Sequence, residues 1–270
     1  SVRLLQAVGV PYALKYLPRF GFGPTSLPRN LSLALGTGEV TPLEIVRGYA
    51  TFANGGYRVT PYVIDHIADS KGQIIYQSQP KVACTSCITA DPSTPQPLAD
   101  ANGNAFAPQA IPPQIAFIMT SALKDVIKYG TGTAAQVLNR PDIAGKTGTT
   151  SNYIDTWFNG FNSDIVATAW VGFDTPSSIH EYGAQAALPM WINFMKVILP
   201  TIPQDTMPQP PGTVVKNINP ANGYVSSSGS GTPEYFRDDD VPPTDQSAPT
   251  PDGSPDTPNG VDITNPTSQA

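Results

Sequence analysis

The stretch "DIAGKTGTT", residues 142–150, sets one cation between two glycines and follows it with three threonine hydroxyls. An ammonium with hydroxyls beside it suits the holding of a carboxylate, because charge-assisted hydrogen bonds are stronger than neutral ones. Gly145 and Gly148 flank Lys146-Thr147, and glycine inside a strand often marks a place where another backbone comes close. One reading is therefore an extended peptide lying along this edge, its acid end read by Lys146, Thr147 and Thr149. The other is a surface hairpin strand whose lysine merely solubilises it. The letters alone leave both open.

Such a strand needs a scaffold. Ile143 and Ala144 lead it, and "TWFNGFN" and "IVATAWVGFD" supply two more strands in a row, with Asn162–Asp164 as a tight turn. "PQIAFIMTSALKDVIKYG" (113–130) is an amphipathic helix stopped by Gly130, and "AQAALPMWINFMKVIL" (184–199) is a final apolar helix broken or started by Pro189. In "TPLEIVRGYATFANGG" (41–56) Thr41 caps, Pro42 suits the first turn, Glu44 completes a capping box, and Asn54-Gly55-Gly56 ends the helix. "YVIDHIAD" and "QIIYQ", separated by Ser70-Lys71-Gly72, form a hairpin, and residues 78–111 an irregular insert. A sheet of consecutive hairpins covered by helices is an α+β arrangement.

Charge divides the chain in two. Residues 1–200 carry thirteen Lys/Arg against twelve Asp/Glu, whereas residues 201–270 carry two against nine. The first part is a near-neutral body and the second an acidic appendage; the clustered basic residues of a nucleic-acid surface are missing from both. Within 201–237, "GTVVKNINPANGYV" (212–225) alternates and carries an Asn-Gly turn, which predicts a small appended β element. After Arg237 no basic residue remains, and Pro, Ser, Gly, Asp and Asn dominate. That composition predicts disorder over 238–270. No apolar run approaches the roughly 20 residues that span a bilayer. The chain starts without methionine on "SVRLLQAVGV", which reads as the middle of an amphipathic helix, so an upstream part is expected.

K-T-G is the third element of the set S-x-x-K, S-x-N and K-T-G of serine penicillin-recognising enzymes. In its wider phrase, "GTGTAAQVLNRPDIAGKTGTTSNYIDTWFNGF", the chain resembles the class A penicillin-binding proteins. "LSLALGTGEVTPLEIVRGYATFANGGYRV" (31–59) is similar to that family's segment upstream, and "KVACTSC" and "PEYF" (233–236) to its 1A branch. The resemblance runs from Ser1 to about Arg237. It implies the penicillin-recognising transpeptidase fold, with 1–200 as the C-terminal part of that domain. It also implies acyl transfer: a serine attacks the D-Ala-D-Ala bond of a peptidoglycan stem peptide, and a neighbouring strand's amine then takes the acyl group. Lys146, Thr147 and Gly148 would carry the catalytic motif. Thr147 and Thr149 would hold the carboxylate of substrate or β-lactam, and the Thr149 N–H would help form an oxyanion hole. No cofactor or metal is implied. The expected partners are stem peptides, β-lactams and other cell-wall synthesis proteins. The expected place is the periplasmic face of a bacterial inner membrane, reached through an anchor outside this chain, with a glycosyltransferase domain also upstream.

The nucleophile is harder to find. Two literal S-x-x-K matches exist, "SQPK" (Ser78–Lys81) and "SALK" (Ser121–Lys124). The first includes Pro80 and lies in the insert. The second has helical spacing, which puts Ser121 and Lys124 on one face. However, Ser121 falls mid-helix, only 25 residues before Lys146, and neither S-x-N nor Y-x-N occurs anywhere. The expectation is that the serine lies outside the chain, which alone should be inactive. A non-catalytic wall-binding or interaction module and a serine β-lactamase are the competing readings. Cys84 and Cys87 are expected to form a structural disulfide in an exported protein. His66 and His180 lack ligand spacing; Trp157, Trp170 and Trp191 are expected in the core; Asp155 is expected to hold the loop beside Lys146.

Overall fold

A computed structural model describes residues 1–23, 27–90 and 97–245. Its centre is a three-stranded antiparallel sheet of β3 (Ala144–Thr149), β4 (Thr156–Phe161) and β5 (Val166–Val171), in that spatial order. The register sets Lys146 opposite Asn159, Gly148 opposite Trp157, and Trp157 opposite Trp170. Because side chains alternate along a strand, these residues share one face, and Thr147, Thr149 and Phe158 share the other. Both expected hairpins are present, and Asn162 closes the second by accepting the N–H groups of Asp164 and Ile165 on its Oδ1.

Helices cover both faces. Phe158 packs with Leu188, Trp191 and Met195 of α5 (Ala187–Ile198), all buried. A Cβ on Gly160 would run into the Trp191 ring, so glycine there lets helix and sheet approach. On the opposite face Ala144 and Phe161 meet Ala53 of α3 (Pro42–Ala53) and Leu123 of α4 (Pro113–Lys128). The α3 start is capped as its sequence predicts: Glu44 N–H donates to Thr41 Oγ1 at 3.2 Å, and Thr41 N–H to Glu44 Oε2 at 2.8 Å. Truncating a buried aromatic such as Trp191 costs on the order of 3–5 kcal/mol.

The start of β3 is held by a buried ion pair. Arg140 donates through Nε and Nη2 to both oxygens of Asp142, at 2.7 and 2.6 Å, and through Nη1 to Leu199 O at 2.7 Å. Asn162 Nδ2 donates to Asp142 at 3.1 Å. The Arg140–Asp142 pair thus ties together the approach to β3, the β4–β5 turn through Asn162 and the residue after α5 through Arg140. Burial pushes the Asp142 pKa up, but the Arg140 and Asn162 hydrogen bonds outweigh it and hold the carboxyl below the usual range.

Several expectations need correction. The opening segment is two short helices, α1 (Val2–Val8) and α2 (Val10–Tyr16), because Gly9 between them takes φ 90°. The expected hairpin is present, in shorter strands than the letters suggested, as β1 (His66–Ala68) paired antiparallel with β2 (Ile74–Gln77). The appended element contains β6 (Thr213–Ile218), paired along its length with β7 (Thr232–Arg237), and Val225, just past the Asn222-Gly223 turn, adds a bridge to Ile218. Tyr235 of β7 stacks edge-on against Phe117 of α4 at 4.9 Å, which anchors the appendage to the body. Disorder was expected from 238, yet residues 238–245 are bonded: Val225 N–H donates to Pro243 O, and Asp245 N–H to Val225 O. The rest of that expectation, 246–270, lies outside the described residues.

Candidate active site

Strand β3 has β4 on one side and no strand on the other among the described residues. Its outward-facing N–H and C=O groups can therefore receive an extended segment. Lys146 lies on the α3 face, where its Nζ donates to Thr147 O at 2.9 Å. Although Lys146 is exposed by area, protein crowds its ammonium on one side, and that burial draws its pKa below the ordinary lysine value. The threonine hydroxyls point to the opposite face, and each is held there from behind. Thr147 Oγ1 is 2.6 Å from Thr131 Oγ1, and Thr149 Oγ1 accepts the Gly183 N–H at 3.0 Å. Lys146 Nζ nonetheless reaches Thr147 Oγ1 at 3.4 Å, so the strand presents an ammonium and oriented hydroxyls close to one another, along an edge where a peptide could lie.

Along this edge runs a groove of about 640 Å³. Its floor includes Thr147, Gly148, Thr149, Trp157, Asn159 and Trp170, and residues 33–40 form its far wall. That wall is folded by its own short contacts: Asn30 Oδ1 accepts the Ser32 N–H, and Gly36 turns left-handed at φ 79°. Asn159, buried and opposite Lys146, accepts the Thr168 hydroxyl at 2.9 Å and bonds the Tyr49 phenol. Burial pushes the Tyr49 pKa up to about 12, against the opposing effect of that Asn159 bond. Tyr49 is thus a neutral hydroxyl near Lys146 at any physiological pH.

Lys146, Thr147, Gly148 and Thr149 therefore come together on one strand edge beside a cavity. Asp155 accepts the Trp170 indole N–H at 2.9 Å, and its own N–H donates to Thr150 Oγ1, which pins the β3–β4 loop. Of the three tryptophans only Trp191 is core; Trp157 and Trp170 are half-buried and line the groove, a correction that follows from their sharing the Lys146 face. Ser121 and Lys124 sit in a second groove of about 630 Å³, with Phe117, Arg140 and Tyr235, which shares no lining residue with the first. Ser78 and Lys81 are in neither. Cys84 and Cys87 are disulfide-bonded. His66 faces Asp65 at 2.9 Å, and His180 faces Ser178 at 3.3 Å. Tyr49, Asn159, Thr131 and Gly183 were not expected from sequence. Only Asn159, an amide inside an apolar strand, carried a signal.

The family described as penicillin binding protein transpeptidase domain matches residues 1–187. Penicillin-binding protein 1A of Pseudomonas aeruginosa is 42% identical over 275 residues, covering 90% of this chain and 33% of that protein. The chain belongs to the penicillin-binding protein transpeptidase family. Penicillin-binding protein 1A of Neisseria lactamica is 46% identical over 219 residues, covering 80% of this chain and 25% of its own length. The crystal structure of penicillin-binding protein 1A from Haemophilus influenzae superposes with a TM-score of 0.80 at 35% identity, over 89% of this chain and 38% of that one. The penicillin-binding protein PonA1 of Mycobacterium tuberculosis, 21% identical with a TM-score of 0.51, shares the fold. This penicillin-binding protein chain spans about a third or less of the curated relatives it matches. Among its described residues no helix is long and apolar enough to cross a membrane.

Proposed function

We propose that this chain forms the K-T-G side of a serine D,D-transpeptidase site in a longer cell-wall synthase. The carrying observation is the Lys146–Thr149 edge, unpaired on one side among the described residues, with oriented hydroxyls and a groove beside it. In this reading Thr147 and Thr149 bond the terminal carboxylate of a D-Ala-D-Ala stem peptide or of a β-lactam. Lys146 contributes positive charge at the reacting end, and the Thr149 N–H faces the carbonyl oxygen as it becomes negative. A serine supplied by polypeptide outside 1–270 attacks the carbonyl carbon. Its C–N bond breaks, the amine leaves with a proton, and an amine of a second strand later displaces the serine oxygen. The resemblance to class A enzymes extends the proposal to a glycosyltransferase domain upstream and to the periplasmic face of the inner membrane. The chain's own share is positioning and electrostatics, which are the larger part of such catalysis.

A fluorescent penicillin tests this. The longer polypeptide should be labelled covalently, and residues 1–270 alone should not. Covalent labelling of the isolated chain at Ser121 would contradict the placement of the nucleophile.

A further inference from the structure

Among the described residues, three of the four non-glycine positions with positive φ lie in the two loops that meet at the C-terminal end of β3. Asn152 (φ 60°) and Tyr153 (φ 55°) follow the strand, and His180 (φ 58°) belongs to the connection between β5 and α5. Such backbone persists where surrounding contacts overdetermine it, and it gathers at functional sites. Here the contacts run between the loops. Ile179 N–H donates to Tyr153 O at 2.9 Å, the Tyr153 hydroxyl donates to that of Tyr182 at 3.0 Å, and the two rings meet edge-on at 4.9 Å. The connection is fastened on its far side too, because Leu188 N–H of α5 donates to Gly183 O at 2.9 Å.

At its closest approach the connection puts Gly183 on the strand itself. Gly183 is not among the glycines with positive φ, so backbone conformation does not require glycine there. Space does: a Cβ at this position would collide with the Gly148 carbonyl oxygen and stand 2.6 Å from Trp157 O. What the close approach achieves is one hydrogen bond, from the Gly183 N–H to Thr149 Oγ1. A hydroxyl has one hydrogen to give, and a backbone N–H can only donate. The Thr149 oxygen is thus used as acceptor from behind, and its own hydrogen stays available to an acceptor along the open edge. Thr147 differs: its oxygen accepts from the Lys146 ammonium at 3.4 Å, and in its 2.6 Å contact with Thr131 either hydroxyl could be the donor, so no main-chain group fixes it.

We infer that Gly183 is a positioning residue for the reaction: its N–H fixes the Thr149 hydroxyl as a donor to the carboxylate of the incoming ligand. The inference rests on the transpeptidase reading and adds to it the β5–α5 connection, which contains no part of the K-T-G motif. Its consequence is specific. Disturbing Gly183 should penalise ligands that carry a free carboxylate and spare those whose carboxylate is masked.

The test uses the full-length polypeptide that contains this chain, acylated by a fluorescent penicillin as the free acid and as its methyl ester. Two variants are compared, Gly183→Ala and a backbone ester in place of the Gly183 amide. The second removes the N–H without adding an atom to the crowded site. Both should slow acylation by the acid about tenfold, as misplacement near a reacting centre does. Acylation by the methyl ester should change by less than about twofold, because the Thr149 donor is not used by a masked carboxylate. Equal slowing of acid and ester by the backbone ester variant, or slowing of neither, overturns the positioning role. Absence of any labelling in the unsubstituted protein overturns the transpeptidase reading instead.

Discussion

Two grooves of nearly equal volume each carry hydroxyl side chains, with a lysine in the lining of one and next to the lining threonine of the other, and they are built differently. Along β3, Lys146, Thr147 and Thr149 lie on a strand edge with no strand neighbour among the described residues, and their hydroxyls are held by Thr131 and Gly183. On α4, Ser121 and Lys124 have the spacing of a nucleophile and its base, but they sit mid-helix beside Phe117 and Tyr235. Burial lowers the Lys124 pKa, and the Asp142 charge only partly opposes this. The helix groove matches the S-x-x-K letters, whereas the strand groove has an extended backbone edge for a peptide to pair with. The comparison teaches that an S-x-x-K match on a helix is weaker grounds for a site than an oriented set of donors on an open strand.

The largest effect expected is at Lys146. In the full-length protein, Lys146→Ala should slow penicillin acylation about 10²- to 10³-fold, the range for loss of one electrostatic stabiliser of a reacting centre. Lys124→Met should leave the rate within about twofold, and equal loss from both variants would break the comparison. Next is the ion pair beneath β3. Asp142→Asn should destabilise the protein by about 3–5 kcal/mol in chemical denaturation, since it leaves Arg140 buried without its charge partner. The pH dependence has a definite sign. The folded Asp142 pKa lies below its unfolded value, so its contribution is present above the unfolded pKa and fades as acid drives pH down through the folded one. A stability profile that rises in acid would contradict this.

Smaller effects sharpen the contrast between the two lysines. In the proposed site the cation at Lys146 is the useful form, and burial lowers its pKa. Acylation should therefore fall with rising pH at a point below the ordinary lysine value, and Lys146→Arg should remove that alkaline limb whatever the residual rate. The smallest effect is at Ser121: Ser121→Ala at this half-buried position should alter stability by no more than about 1 kcal/mol, the usual scale of a point substitution, and should leave labelling intact.

Local chemistry made much of this legible. The capping box of α3, the apolar stripes of α4 and α5, and the run of three strands each depend on residues near one another in sequence. Position relative to the sheet faces did not. Trp157, Trp170 and Trp191 look alike as letters, yet the first two line the groove and only the third, on α5, is buried against the sheet. Gly183 is 34 residues from Thr149, and nothing in the composition of the β5–α5 connection marks the residue that touches the strand. The Asn222-Gly223 signal marked a local turn, with Val225 bridging back to Ile218, but no nearby residue pointed to β7, the strand that pairs along β6. Residues 238–245 were misjudged on composition, since main-chain bonds to Val225 need no apolar side chain.

The central claim concerns where a ligand's acid end rests. A crystal structure of the full-length protein acylated by penicillin measures this directly, through the distances from the ligand carboxylate to Thr147 and Thr149 Oγ1. Both should fall within hydrogen-bonding range, under about 3.2 Å, with the ester on a serine outside residues 1–270. A carboxylate bound away from β3, or an ester on Ser121, would contradict the account.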